Sequence, residues 1–247
     1  MKKTLIALLA LGGLAVGEES ITLENAVLVV DTPISSIDLA STGITNGTFT
    51  ISAQLDLNFL ANTTVGKDFV SNSSFFSVTD KTNTGWHIGT AIGTSTSNNV
   101  ITKAGLYCTS KAADTFYADT AGWMSVGQND SLTADMVTGL KGAALTMTYD
   151  ASTFTASVYM TLDYIDPSRE TVTISGSNNG FKWSGQTLST LGTLELNTSS
   201  VDKVYVFSGA VTANQAWALN NKLVPEPTTA TLSLLALAGL AARRRRK

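Results

Sequence analysis

Histidine and cysteine occur once each in 247 residues, proline four times, and charged side chains make up only 14% of the chain. These scarcities exclude several chemistries. A Ser-His-Asp triad needs an imidazole base, and His87, in Gly85-Trp86-His87-Ile88-Gly89, is the only one in the sequence. It lies in no Gly-x-Ser-x-Gly context, and no such elbow occurs elsewhere. His87 therefore reads as a strand residue facing water or a neighbour. Structural and catalytic zinc sites draw on several His or Cys ligands, which this chain does not have. Cys108 has no second cysteine to pair with, and in Gly105-Leu106-Tyr107-Cys108-Thr109 it reads as a buried, inert thiol in a strand. A phosphate-cradling glycine loop is also missing, because Gly12-Gly13 sits inside an apolar run at the N-terminus.

That run belongs to a secretory signal. Lys2 and Lys3 are followed by apolar residues 5–14, then by the small residues Ala15-Val16-Gly17 and the acidic pair Glu18-Glu19. This order predicts a signal peptide over residues 1–17, cut by signal peptidase between Gly17 and Glu18. At the other end, Pro225-Glu226-Pro227 precedes residues 228–242, which carry no charge, and then Arg243, Arg244, Arg245, Arg246 and Lys247. A bilayer core of about 30 Å asks for about 20 helical residues. The apolar segment is shorter, so its arginines have to snorkel to the interface. Arginines flanking a span stay in the cytoplasm, and the signal peptide puts the intervening residues outside, so both ends give one topology.

Residues 224–247 resemble the PEP-CTERM sorting signal of Gram-negative bacteria, with Pro225, Glu226 and Pro227 as its namesake triplet and Arg243 to Arg246 as its basic end. The resemblance implies a transient inner-membrane anchor, recognition by an exosortase, and delivery to the cell surface or extracellular matrix. It says nothing of what the carried domain does.

Setting the ends aside leaves residues 18–224, a length suited to one domain. They hold nine basic and 18 acidic residues, a formal net charge of −9. Such a domain is a poor ligand for nucleic acid or an anionic lipid surface. Apolar residues alternate with polar ones at Phe49, Ile51, Ala53, Leu55 and Leu57, at Leu145, Met147 and Tyr149, and at Phe154, Ala156, Val158, Met160 and Leu162. Period-2 alternation predicts antiparallel strands with one face in the core and one in water. Shorter strands are expected at 75–78, 86–92, 105–109, 172–174, 193–196 and 204–207. Turns are expected at Asp150-Ala151-Ser152-Thr153 and Asn178-Asn179-Gly180. One helix is expected at 212–221. Thr212 and Gln215 have capping-box spacing, Ala216, Leu219 and Leu223 share a face, and Pro225 ends the run. The fold class is therefore all-β, an antiparallel β-sandwich or barrel with one short C-terminal helix docked on it.

The stretch from Asp202 through Val204-Tyr205-Val206-Phe207 into Thr212 and Leu219 resembles the closing strand and helix of laminin-G-like, concanavalin A-like jelly rolls. Residues 145–164 resemble their central strand pair, and 49–57 an early strand. Asp163-Tyr164-Ile165-Asp166-Pro167 departs from the glycine turn usual there. The resemblance implies a jelly roll whose relatives include glycan binders, adhesion modules and glycosidases, so it does not choose among them.

Glycosidases on that fold usually carry Glu-x-Asp-x-x-Glu on one strand, and retaining enzymes hold two carboxylates about 5 Å apart. The pattern does not occur here. Asp163, Asp166 and Glu170 form the nearest group, and Pro167 makes it a solvated loop. Calcium needs only loop oxygens; Asp163 with Asp166, or Asn129 with Asp130, have the right atoms but not the spacing of a calcium loop. No cofactor and no metal ligands are assigned, and calcium stays open. Trp86, Trp123 and Trp183 lie beside Gly- or Asn-rich segments. Asn178, Asn179 and Trp183 form the best candidate for stacking on a sugar and bonding its hydroxyls, although tryptophans fill cores as readily. The reading is an exported, non-catalytic surface protein that binds a glycan or another protein. The alternatives are a glycan-active hydrolase on the same sandwich and a purely structural envelope or matrix protein.

Overall fold

The structure is a computed structural model. It describes residues 20–31, 33–44, 47–67, 74–80, 86–112, 123–126, 132–153, 155–179 and 191–224. For residues 41, 74, 80, 86–88, 91–96, 101–112, 123–126, 155, 173–179 and 191 it describes the backbone alone.

The alternating segments pair as antiparallel strands. In chain order these are β1 (Leu28–Asp31), β2 (Ser36–Asp38), β3 (Phe49–Leu55), β4 (Ser74–Asp80), β5 (Trp86–Ser97), β6 (Val100–Ala112) and β7 (Trp123–Val126). They continue with β8 (Leu140–Asp150), β9 (Thr155–Tyr164), β10 (Val172–Asn179), β11 (Leu191–Leu196) and β12 (Val201–Ser208). A short helix α1 (Leu57–Asn62) follows β3, and α2 (Ala213–Leu223) follows β12. One six-stranded sheet runs β1-β12-β3-β8-β9-β10 and the other β2-β11-β4-β5-β6-β7. A single apolar core lies between them, with Ile51, Leu145, Val158 and Val204 from the first sheet and Phe76, Val78 and Leu194 from the second, all essentially inaccessible to solvent. The expected two-sheet antiparallel sandwich is what forms.

Local chemistry moves several boundaries from where alternation alone put them. The early strand stops at Leu55 rather than Leu57, because the Asp56 side chain accepts from Phe59 N–H at 2.6 Å and caps α1. The described chain thus has a second helix, which packs Phe59 edge-on against Phe75 with ring centroids 5.6 Å apart. Residues 86–92 and 105–109 belong to one long hairpin. Asn98 and Asn99 turn it with φ of 50° and 62°, the left-handed pair that a two-residue type I′ turn requires and asparagine tolerates. Asn178 and Asn179 are not a turn: they extend β10, paired with Ala156 and Thr155. The hairpin loop after Asp150 forms as expected, with Ser152 N–H and hydroxyl donating to Asp150 at 2.8 and 2.6 Å. Those bonds hold the Asp150 carboxyl below its ordinary value.

The largest departure concerns the strand faces expected in water. On β3 and β8 they are buried: Thr50, Ser52 and Thr146 are wholly inaccessible and Thr148 nearly so. Helix α2 lies across them, and the hydroxyls are satisfied inside. Ser52 Oγ lies 2.8 Å from Thr146 Oγ1, which donates to Asn220 Oδ1 at 2.7 Å. Asn220 Nδ2 then donates to the Tyr159 carbonyl at 2.9 Å. In a second group Val211 N–H donates to Thr148 Oγ1 at 3.1 Å, and the Thr50 hydroxyl lies within donating distance of Thr148 Oγ1 at 3.1 Å and of the Gly209 carbonyl at 3.0 Å. Thr161, on the same side of β9, is buried with no partner for its hydroxyl.

Two valine substitutions of equal shape separate these cases. Thr161→Val removes an unsatisfied buried hydroxyl and is expected to stabilise the fold by about 1 kcal/mol, whereas Thr146→Val strips Asn220 of its donor and costs about 2 kcal/mol. Urea unfolding of the two variants checks the opposite signs. The capped turn gives a pH test. Because the Asp150 pKa is depressed in the fold, its contribution is complete above the unfolded value of 3.8 and lost as pH falls through the lower folded value. The stability gap between the parent and Asp150→Ala should therefore narrow on acidification below that value in the same unfolding measurement.

Candidate functional site

The most fully built region outside the core is where α2 meets the N-terminal segment and leads into the tail. The chain leaves β12 through Gly209, whose φ of 87° belongs to a left-handed turn. The Gly209 N–H donates to the Thr48 carbonyl at 3.0 Å. Thr212 then caps α2. Its hydroxyl accepts from Gln215 N–H at 3.3 Å, and its own N–H donates to Gln215 Oε1 at 2.8 Å. This is the capping box the sequence predicts. Ala216, Leu219, Asn220 and Leu223 face the sheet. Val224 closes the helix, donating its N–H to the Asn220 carbonyl at 3.1 Å from an extended conformation, φ −72° and ψ 120°. The residue before a proline avoids the helical region, so Pro225 fixes where the helix ends.

The N-terminal segment packs on the same helix. Residues 22–25 form one tight turn: Thr22 N–H donates to Asn25 Oδ1 at 2.7 Å, and Asn25 N–H to the Thr22 carbonyl at 3.0 Å. This turn sets Ile21, Leu23 and Ala26 against Phe207, Val211, Ala216 and Leu219. Leu23 also packs on a small cluster of Ala144, Leu223 and Val224, in which the last two are about 5% exposed. A cleft of about 310 Å³ opens at the start of α2, lined by Ile21, Asn25, Phe207, Val211 and Gln215. The outward side of α2 carries Trp217, which is 51% exposed, and Lys222.

The residues singled out from sequence fare unequally. Gly17, Glu18, Trp183, Asn129, Asp130, Pro225, Glu226, Pro227 and Arg243 to Arg246 lie outside the described residues. Asn178 and Asn179 end β10, the edge strand of the first sheet, with their backbones paired to β9. This edge strand approaches β7, the edge strand of the second sheet, which begins at Trp123. Asn178 and Asn179 on one edge strand and Trp123 on the other therefore sit on neighbouring edges. His87 lies between Thr79 and Lys111 in the second sheet, and Cys108 between Thr90 and Met124.

The carboxylate group after β9 is engaged locally. Asp163, at the end of β9 rather than in the loop, pairs with Lys141 at 2.7 Å. Asp166 accepts from Ser168 N–H and hydroxyl at 2.9 and 2.8 Å, which lowers its pKa. Arg169 donates to the carbonyls of Thr138 and Asp135, each at 2.8 Å, and lies 3.8 Å above the Tyr164 ring. Among the described residues no three Asp, Glu, His or Cys side chains come together as a metal-binding group, and no helix is long and apolar enough to cross a membrane.

Sequence reasoning passed over Asn220 and Trp217. The helical period pointed to both. Asn220 falls on the buried stripe with Ala216 and Leu219, where an amide needs partners, and Trp217 falls off it, where a large aromatic has no core to fill.

No curated protein sequence matches the chain. Among solved structures, the legume lectin-like domain from Entamoeba histolytica is similar at 10% identity and a TM-score of 0.38, over 73% of this chain and 77% of that one. A likeness of that size adds nothing to the sandwich that the strand order already establishes. The tail is a different matter: residues 223–247 match the PEP-CTERM protein-sorting motif, so the junction at Leu223 and Val224 is where a folded β-sandwich passes into a sorting signal.

Proposed function

We propose that this chain is a surface protein exported through a signal peptide, held for a time in the inner membrane by its tail, and released towards the cell surface by an exosortase-type protease. The observation that carries the reading is the sorting motif itself, placed without a spacer after the last turn of α2. Residues 228–242 enter the bilayer, and Arg243 to Arg246 stay on the cytoplasmic side. The sandwich acts as a non-catalytic binding module for a glycan or a surface protein. In support, the charged groups nearest to a catalytic arrangement, Asp163 and Asp166, are each engaged by local partners. The approach of β7 and β10 brings Trp123 and Asn178-Asn179 onto adjacent edges. Trp183 follows β10 in the sequence and is the aromatic we assign to ligand stacking.

Two measurements test the two halves of this proposal. Replacing Pro225-Glu226-Pro227 by alanines should leave the tail-bearing form accumulating in the membrane of a host that carries an exosortase, as read by immunoblot. Unchanged processing removes the sorting reading. A glycan array probed with the signal-cleaved protein, with and without calcium, should show selective binding that Trp183→Ala reduces about fivefold or more, the loss expected of a stacked aromatic contact worth about 1 kcal/mol. Binding to no glycan shifts the module to a protein ligand or a structural role.

A further inference from the structure

Helix α2 runs into the first residue of the sorting motif, and this limits where its outer face can be. Only Pro225, Glu226 and Pro227 separate Val224 from the uncharged segment 228–242. Fully extended, those residues and their flanking bonds span about 14 Å, less than the depth of a headgroup layer plus the width of a helix. The N-terminal segment ends on the same helix: Leu23 packs on Leu223 and Val224 and lies six residues from Gly17, the end of the predicted signal peptide. Both membrane-directed ends of the chain therefore leave from one side of the sandwich.

The composition of that side fits a membrane surface. The domain carries 18 carboxylates, yet none occurs from Lys203 to Val224. Glu24 is the one carboxylate of the packed segment 20–26, and Glu18 and Glu19 precede that segment in the sequence. Lys222 is exposed in the last turn of α2. Trp217, half exposed on a helix whose apolar face is already buried, has the amphipathic ring that collects at bilayer interfaces.

We infer that the outer face of α2 is a membrane-interface surface: in the tail-anchored form Trp217 on one flank of that face sits among phospholipid headgroups, with Lys222 on the other flank, holding the sandwich against the bilayer in one orientation. The inference rests on the tail entering the membrane. The test uses the tail-bearing protein reconstituted into phosphatidylcholine–phosphatidylglycerol vesicles, first by flotation and then by tryptophan quenching with lipids brominated near the acyl carbonyls. The expected result is flotation, with quenching that falls about twofold or more in Trp217→Phe and also falls in Lys222→Glu, which adds a carboxylate to the face. Flotation with equal quenching in the parent and Trp217→Phe overturns the interface surface and leaves the anchor standing. Failure to float overturns the anchor, and the interface surface with it. Because Trp217 lies on the exposed side of α2, its replacement leaves the buried helix contacts intact.

Discussion

The arrangement depends on how a helix can rest on a sheet face made of hydroxyls. The outer side of β3 and β8 presents Thr50, Ser52, Thr146 and Thr148, and α2 removes all four from water. A buried hydroxyl without a partner costs more than a hydrogen bond ordinarily returns, so an apolar helix face alone could not dock there. Asn220 resolves this by accepting from Thr146 and donating to the Tyr159 carbonyl, while Val211 and Gly209 at the start of the helix complete the second group. These bonds are directional. They fix the rotation and the translation of α2 on the sheet, where apolar contact alone would let it slide. The lone hydroxyl of Thr161 shows the network reaching its limit at the third strand of this face.

A fixed helix gives a fixed exit. Because α2 has one seat, Val224 has one position, and it ends the helix in an extended conformation. Leu23 closes over the same spot from the N-terminal side, so the N-terminal turn helps to bury the first residues of the sorting motif. Folding of the exported domain thus ties together the two ends that the export machinery handles.

Much of this was legible in the residues. Alternation around Ile51, Met147 and Val158 marked the strands, and the pair Thr212 and Gln215 marked the start of α2, because both signals are local. What alternation cannot show is what covers the second face of a strand. Thr50 and Thr146 read as solvated for want of any local sign that a helix 70 or more residues later lies over them. The Asp56 cap was readable in principle, but it sits inside an unbroken alternation through Leu57, and the period masked it. Asn178 and Asn179 have turn chemistry that pairing with β9 overrides. The tail was the most legible part, since its signal is a linear order of residues that needs no fold to be recognised.

The position of α2 also decides which surfaces remain for a ligand. The helix and the N-terminal turn occupy the outer face of β3, β8 and part of β9. On the proposed binding reading, a sugar or a partner protein would use surfaces that α2 leaves open, among them the edge where β7 meets β10. Trp86 and Trp123 belong to the second sheet, and Asn178 and Asn179 to that edge. If α2 faces the bilayer, the second sheet faces away from it, because the two sheets of a sandwich lie back to back about 10 Å apart. Anchoring and binding then use opposite sides of one small domain, and neither obstructs the other while the protein waits for its tail to be cut.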